Sequence, residues 1–155
     1  MSQMIGKVYI GIDPGSRSGS LAVLSEDGKT VELHEFSETT FGAVLKAYAD
    51  RAFAVLEHVN AMPGQGVVAT WHFAENFGFI RGLLKAYFIP HELVRPQKWK
   101  KAFGVTADKN TSVAVAQRLF PTVEFRRTPK CRKPFDGFCE SLLMAEYARR
   151  IDNGC

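Results

Sequence analysis
The sequence predicts an α/β fold built on a mixed five-stranded sheet with helices on its faces. Two patterns carry that reading. Residues 7–36 hold three apolar runs separated by short turns, as hairpin-linked strands do. Beyond residue 40, stretches of helical spacing alternate with apolar runs, the pattern of parallel strands joined by crossovers. A chain of 155 residues, 46% apolar and 12% aromatic, can bury such a sheet on both sides. We expect one domain spanning 1–155.

Residues 7–13 (KVYIGID) form an apolar run stopped by Pro14-Gly15, a buried strand and its turn. Residues 19–24 (GSLAVL) make a second strand, and Glu26-Asp27-Gly28 a hairpin turn. Residues 30–36 alternate Val31 and Leu33 with polar neighbours, which predicts a strand near an edge. Residues 41–51 have helical spacing, and 52–59 (AFAVLEHV) read as a fourth strand. The loop 60–66 contains Pro63, Gly64 and Gly66. From 69 to 87, Phe73, Phe77, Ile80 and Leu84 mark one helical face. Residues 91–94 are a short strand and 96–103 a helical turn. Residues 110–120 predict a helix with Asn110 or Thr111 as its N-cap. Residues 123–134 are basic and irregular, and 136–150 are the last helix.

Several classes fall away. No apolar run approaches the ~20 residues of a membrane helix. The first residues lack the apolar core of a secretory signal, so a cytoplasmic location is expected. Cys131, Cys139 and Cys155 are an odd number without CxxC spacing, which excludes a disulfide framework and argues against structural zinc; inert thiols are the expectation.

Net charge is +4, unevenly divided. Residues 1–94 carry 7 Lys/Arg against 10 Asp/Glu, and residues 95–155 carry 13 against 6. A basic surface beside an acidic centre suits a polyanion such as nucleic acid; a merely solubilising surface is the plain alternative.

Four carboxylates break the pattern. Asp13 ends an apolar strand and Glu57 interrupts another, where an unpaired charge is costly. Asp136 and Glu140 are four residues apart, on one face of the last helix, with no Lys or Arg three or four residues beyond either. Converging oxygens of this kind call for a hard cation, Mg²⁺ with Mn²⁺ as substitute. Two such ions ~3.5–4 Å apart can activate water and stabilise the leaving oxygen of a phosphodiester. Each acid also has a simpler reading: Asp13 as a turn former, Glu57 at an exposed strand edge, Asp136 as a helix cap, Glu140 as surface.

The ordered set of Ile10-Gly11-Ile12-Asp13-Pro14-Gly15, Gly19-Ser20-Leu21-Ala22, Leu56-Glu57 and Met62-Pro63-Gly64-Gln65-Gly66 resembles RuvC-type Holliday junction resolvases, especially the small phage-encoded branch. Ala107-Asp108-Lys109 and the segment from Asp136 to Ala145 are similar to that family's later motifs. The family's bacterial pattern spaces the last two acids three residues apart; here they are four apart. The resemblance implies a ribonuclease H-like fold and a homodimer that nicks four-way DNA junctions symmetrically with Mg²⁺. It implies Asp13, Glu57, Asp136 and Glu140 as catalytic metal ligands and Lys109 as an active-site lysine. A phage origin would place it in the host cell cytoplasm.

Lys98, Lys100 and Lys101 flank Trp99 and read as backbone-phosphate contacts. Arg126, Arg127, Lys130, Arg132 and Lys133 are similar candidates, with disorder as the alternative. Trp71 and Phe73 follow the glycine-rich loop and could stack on bases at an opened junction, although Phe73 also fits the apolar stripe. Gly78 and Gly82 would admit a close helix, within the chain or across a two-fold axis. His58 and His72 are not assigned to the metal. The rival readings are another ribonuclease H-like nuclease, cutting RNA–DNA hybrid or structured RNA, and a module that binds branched DNA without cutting. Nucleotide-binding kinases and ATPases with a similar first strand need two such domains, so no nucleotide cofactor is expected.

Overall fold
The computed structural model describes residues 4–15, 17, 19–60 and 63–154. Strands β1 (Val8–Asp13), β2 (Ser20–Ser25) and β3 (Val31–Glu35) are followed by α1 (Glu38–Tyr48), β4 (Ala52–Glu57), α2 (Val67–Ala86) and β5 (His91–Val94). Three helices close the chain: α3 (Pro96–Phe103), α4 (Lys109–Leu119) and α5 (Asp136–Asp152). The sheet order is β3-β2-β1-β4-β5. β1, β2 and β3 pair antiparallel, while β4 runs parallel to β1 and β5 parallel to β4. This is the mixed sheet that hairpins followed by crossovers require.

The central strands are buried on both faces, which is why they read as unbroken apolar runs. Their alternation sorts two cores. Ile10, Ile12, Leu21, Val23, Ala54 and Leu56 pack with Phe41, Leu45, Ile80 and Leu84 of α1 and α2. Tyr9, Ala22, Leu24 and Val55 pack on the other side with Trp99, Leu142, Leu143 and Ala148 of α3 and α5. Asp13 and Glu57 belong by parity to this second face.

α5 is buried from Gly137 to Ala148 without interruption, so it is a central helix and not an amphipathic surface one. Its closeness to the sheet is set by Gly11. A Cβ there would overlap the Ser141 carbonyl oxygen and the Ala145 amide of α5, both backbone atoms that cannot rotate aside. Glu146 is a buried acid outside the candidate set, and Arg149 and Arg150 meet its carboxylate at 2.7 and 3.1 Å.

Local chemistry corrects several expected boundaries. The turn expected at 96–103 is a helix, started by Pro96 in its first turn and ended by Gly104 in the left-handed region (φ 66°). Trp99 and Phe103, one turn apart, bury its inner face. α4 is capped by Asp108, two or three residues before the expected caps, with its carboxylate accepting from the Asn110 amide at 2.9 Å. α1 starts earlier than expected because Ser37 caps it. Asp136 is the first helical residue of α5, not its cap, which is Phe135. A Cβ on Gly78 or Gly82 would meet nothing within 4 Å, so neither glycine serves a close approach inside the chain. No helix among the described residues is long and apolar enough to cross a membrane.

Replacing Gly11 with Ala should destabilise the protein by about 3 kcal/mol or more, because the overlap falls on backbone and must push α5 off the sheet. Urea unfolding of the variant checks this; a loss under about 1 kcal/mol would show that α5 is not seated on β1 as described.

Candidate active site
Asp13 and Glu57 are brought together by strand pairing. β1 and β4 are adjacent and parallel, with Ile12 opposite Leu56, so the next residue of each projects from the same sheet end. α5 crosses this face and supplies Asp136 and Glu140 from its first turns. Asp13, Glu57 and Glu140 interact electrostatically.

The surroundings of each acid differ. Asp13 Oδ1 accepts the Gly15 amide at 3.2 Å, so Asp13 forms the turn and faces the site at once. Gly19 lets that turn close, since a Cβ there would overlap the Gly15 carbonyl. Burial, then the Glu57 charge, pushes the Asp13 carboxyl up to about 7, although the Gly15 amide opposes the rise. Glu57 is only 7% exposed and accepts the Trp99 indole N–H at 2.8 Å. Burial raises its pKa against the opposing Trp99 hydrogen bond, and the Glu140 charge adds to the rise. Glu140 is buried and receives the Ser112 hydroxyl at 3.4 Å. Asp136 is half-buried, its side chain 37% exposed.

No Lys or Arg on α5 neutralises Asp136, but one on α4 does. Lys109 Nζ lies 2.8 Å from Asp136 Oδ2 and 3.9 Å from Glu140 Oε1. Partial burial works against this ammonium, yet the hydrogen bond to Asp136 and the charges of Glu140, Asp136 and Asp13 outweigh it and hold its pKa above the ordinary range. The start of α4 thus delivers a cation into an acidic site.

The expected four-way convergence is looser than one coordination shell. Among the described residues, no three His, Cys, Asp or Glu side chains are gathered closely enough to hold a metal ion. The physical reason is repulsion among like charges, with Lys109 already drawn to Asp136. The donor chemistry nevertheless fits a hard divalent cation. The acids are all oxygen donors, two of them are pushed up in pKa by burial and by each other, and Lys109 faces mainly Asp136.

Three contributors were not singled out from sequence. Trp99 is fully buried and bonded to Glu57. Asn76 on α2 is buried and donates to the Pro14 carbonyl at 2.6 Å and the Gly15 carbonyl at 3.3 Å, which fixes the turn behind Asp13. Ser112 holds Glu140. Asn76 left one signal, a polar residue four positions before Ile80 on the apolar stripe.

The remaining candidates divide. Lys98 and Lys101 are exposed on α3, whereas Lys100 is half-buried with its ammonium 5.6 Å from the centre of the Trp99 ring. Trp71 is 67% exposed near the start of α2, beside exposed Val67 and Val68. Phe73 is half-buried and stacked on Phe77 at 6.3 Å, so its ring is committed to packing. His58 also stacks on Phe77, at 5.7 Å, on the sheet face opposite Glu57. The basic stretch 123–134 has defined internal contacts. Glu124 pairs with Arg126 at 2.8 Å, and Glu35 pairs with Arg127, whose guanidinium also covers Phe135 at 3.8 Å. Lys130, Arg132 and Lys133 are exposed. Burial pushes the Cys139 thiol up to about 12, while the Thr128 hydroxyl holds Cys131 below the ordinary thiol range. Cys155 and Met62 lie outside the described residues.

No family model matches the chain. No curated protein matches its sequence. Among solved structures, T. thermophilus RuvC in complex with a Holliday junction substrate is similar at TM-score 0.69 and 15% identity, over 96% of both chains. A second Thermus thermophilus RuvC structure is similar at TM-score 0.65 and 16% identity, over 95% of this chain and 96% of that one. The fold is that of RuvC. The five-stranded mixed sheet of this RuvC-like, ribonuclease H-like architecture is the one the sequence predicts. On the RuvC fold the acids described above occupy one end of the sheet, where β1, β4 and α5 meet.

The Asp13 shift has a pH consequence. Its folded pKa, about 7, lies above the ordinary 3.8, so the folded state binds the proton more tightly. That contribution to stability is complete below the ordinary value and is lost as pH rises through about 7. In cation-free buffer, Asp13→Asn should match wild type at pH 4 and exceed it at pH 8 by ~1–3 kcal/mol. Denaturant unfolding at both pH values checks this, and equal stability at pH 8 would remove Asp13 from the repelling cluster.

Proposed function
We propose that this chain is a divalent-cation-dependent endonuclease that resolves four-way DNA junctions, making paired symmetric nicks as a cytoplasmic homodimer. The observation that carries the reading is the meeting of Asp13, Glu57 and Glu140 at one end of a RuvC-like sheet. The neighbour seen with a Holliday junction substrate supports branched DNA as the partner. A junction has two-fold related phosphates, and a two-fold dimer of one-domain nucleases presents two equivalent sites to them.

Asp13, Glu57, Glu140 and Asp136 would hold the cations, Mg²⁺ or Mn²⁺. Bound there, a pair of cations supplies Lewis acidity and an activated water for phosphodiester hydrolysis. The chain's own groups do the positioning. Lys109 offers its ammonium to a non-bridging phosphate oxygen and to the charge that develops on it. Ser112 and Asn76 hold Glu140 and the Asp13 turn. Lys98 and Lys101 grip backbone phosphates beside Lys100, and Lys130, Arg132 and Lys133 extend the grip; Arg126 and Arg127 join it by exchanging their carboxylate partners. Trp71 stacks on an exposed base, while Phe73 stays packed against Phe77.

One observation favours a second reading, a module that binds branched DNA without cutting. Lys109 closes on Asp136, and the acids among the described residues are not gathered to metal-holding distance. A labelled immobile junction, a linear duplex and an RNA–DNA hybrid, each incubated with Mg²⁺ and then with EDTA, separate the readings. Paired nicks confined to the junction and abolished by EDTA are expected. A gel shift without cutting would establish the second reading, and cutting of the hybrid a different nuclease.

Asp13→Asn, Glu57→Gln or Glu140→Gln should each lower junction cleavage at least ~10³-fold while the junction still binds, and Lys109→Ala should lower it ~10²-fold. Single-turnover assays at saturating protein measure this; a Glu57→Gln variant that cuts at wild-type rate would exclude the site. Lys101→Ala should weaken junction binding and reduce the slope of log affinity against log salt by about 0.9. An unchanged slope in a salt titration would take α3 out of the interface.

A further inference from the structure
We propose that Trp99 is a positioning residue: its indole N–H holds one oxygen of Glu57 so that the other is presented to the cation. The inference rests on the reading of Glu57 as a cation ligand. The bond is 2.8 Å, from Trp99 Nε1 to Glu57 Oε2, and joins residues 42 positions apart. Both partners are buried, Trp99 completely and Glu57 to 7% exposure.

Three features distinguish this contact from an indole that merely finds an acceptor. The indole N–H is donor only, so the bond has one direction and cannot exchange roles. Its ring belongs to the core cluster with Tyr9, Val94, Phe103 and Leu143, and so has no freedom to follow the carboxylate. The carboxylate therefore conforms to the ring. Above all, the donor is neutral. Asp136 is held by the ammonium of Lys109, which competes with any cation for the same oxygens. Trp99 orients Glu57 without itself cancelling its charge; Lys100 and Lys109 act on Glu57 through their charges, with the Trp99 hydrogen bond and the charge of Glu140 beside them.

The arrangement also ties the site to the proposed DNA-gripping helix. Trp99 sits on α3 between Lys98 and Lys100, and the Lys100 ammonium rests over its ring. One short helix thus carries the Glu57 anchor on its inner face and phosphate-binding lysines on its outer one.

The test is Mn²⁺ binding without DNA, followed by the electron paramagnetic resonance signal of the free ion. Trp99→Phe keeps the packing ring and deletes the donor. It should weaken Mn²⁺ binding 10–100-fold at a temperature where circular dichroism shows the variant folded, a range typical for partners that orient metal ligands. A change within twofold overturns the proposal, because a purely structural indole would cost melting temperature and leave Mn²⁺ affinity alone. Glu57→Gln is the control. It should itself lose Mn²⁺ affinity, and Trp99→Phe added to it should cost nothing further. Wild-type Mn²⁺ binding by Glu57→Gln would instead refute the cation role of Glu57, a separate failure that removes the basis of the inference. Should Trp99→Phe not fold, Trp71→Phe leaves Trp99 as the sole indole. Its fluorescence should then shift on Mg²⁺ titration and stop shifting when Glu57→Gln is added. Unchanged emission at Mg²⁺ saturation overturns the proposal.

Discussion
The seating of α5 on β1 is the constraint on which everything else depends. Gly11 leaves the space that the α5 backbone occupies at Ser141 and Ala145. A side chain at position 11 would push α5, and Glu140 with it, away from the strand that carries Asp13. The Ser20 hydroxyl adds a second tie, donating to the Gly137 carbonyl at 2.6 Å in the helix's first turn. The site is therefore a consequence of how closely a helix can approach a strand that lacks a Cβ at one position.

That closeness has an electrostatic cost. Asp13, Glu57 and Glu140 are drawn together in partly dry surroundings, and the carboxyl of Asp13 responds by holding its proton to about pH 7. Glu146, buried on the same helix, has no such problem, because Arg149 and Arg150 close on it. The contrast separates a carboxylate neutralised in place from acids that are not. Both are buried, but only the acids at the sheet end are left with more negative charge than nearby cations offset. A fold does not retain such a surplus for stability, since replacing buried charge is often neutral or favourable.

Much of this was legible beforehand. Asp13 and Glu57 are conspicuous because a carboxylate inside an apolar run is rare and period two places it on a buried face. The three opening strands and the long α2 stripe are equally plain, since local periodicity is enough to define them. The misjudged helix ends came from short-range chemistry that periodicity ignores: Ser37 and Asp108 as caps, Pro96 and Gly104 bounding α3. Phe73 illustrates the reverse case, an aromatic whose position after a glycine-rich loop suggests stacking on bases but whose ring lies against Phe77.

By itself the sequence determined the order of elements, the sheet's mixed character, the division of charge and the identity of four anomalous acids. It could do so because these depend on residues near one another along the chain. Only the tertiary structure decided which groups answer those acids. Trp99 meets Glu57, Lys109 meets Asp136, Ser112 meets Glu140 and Asn76 secures the Asp13 turn, all across long separations in sequence. Such pairings follow from strand order and helix docking, and no periodicity in the chain records them.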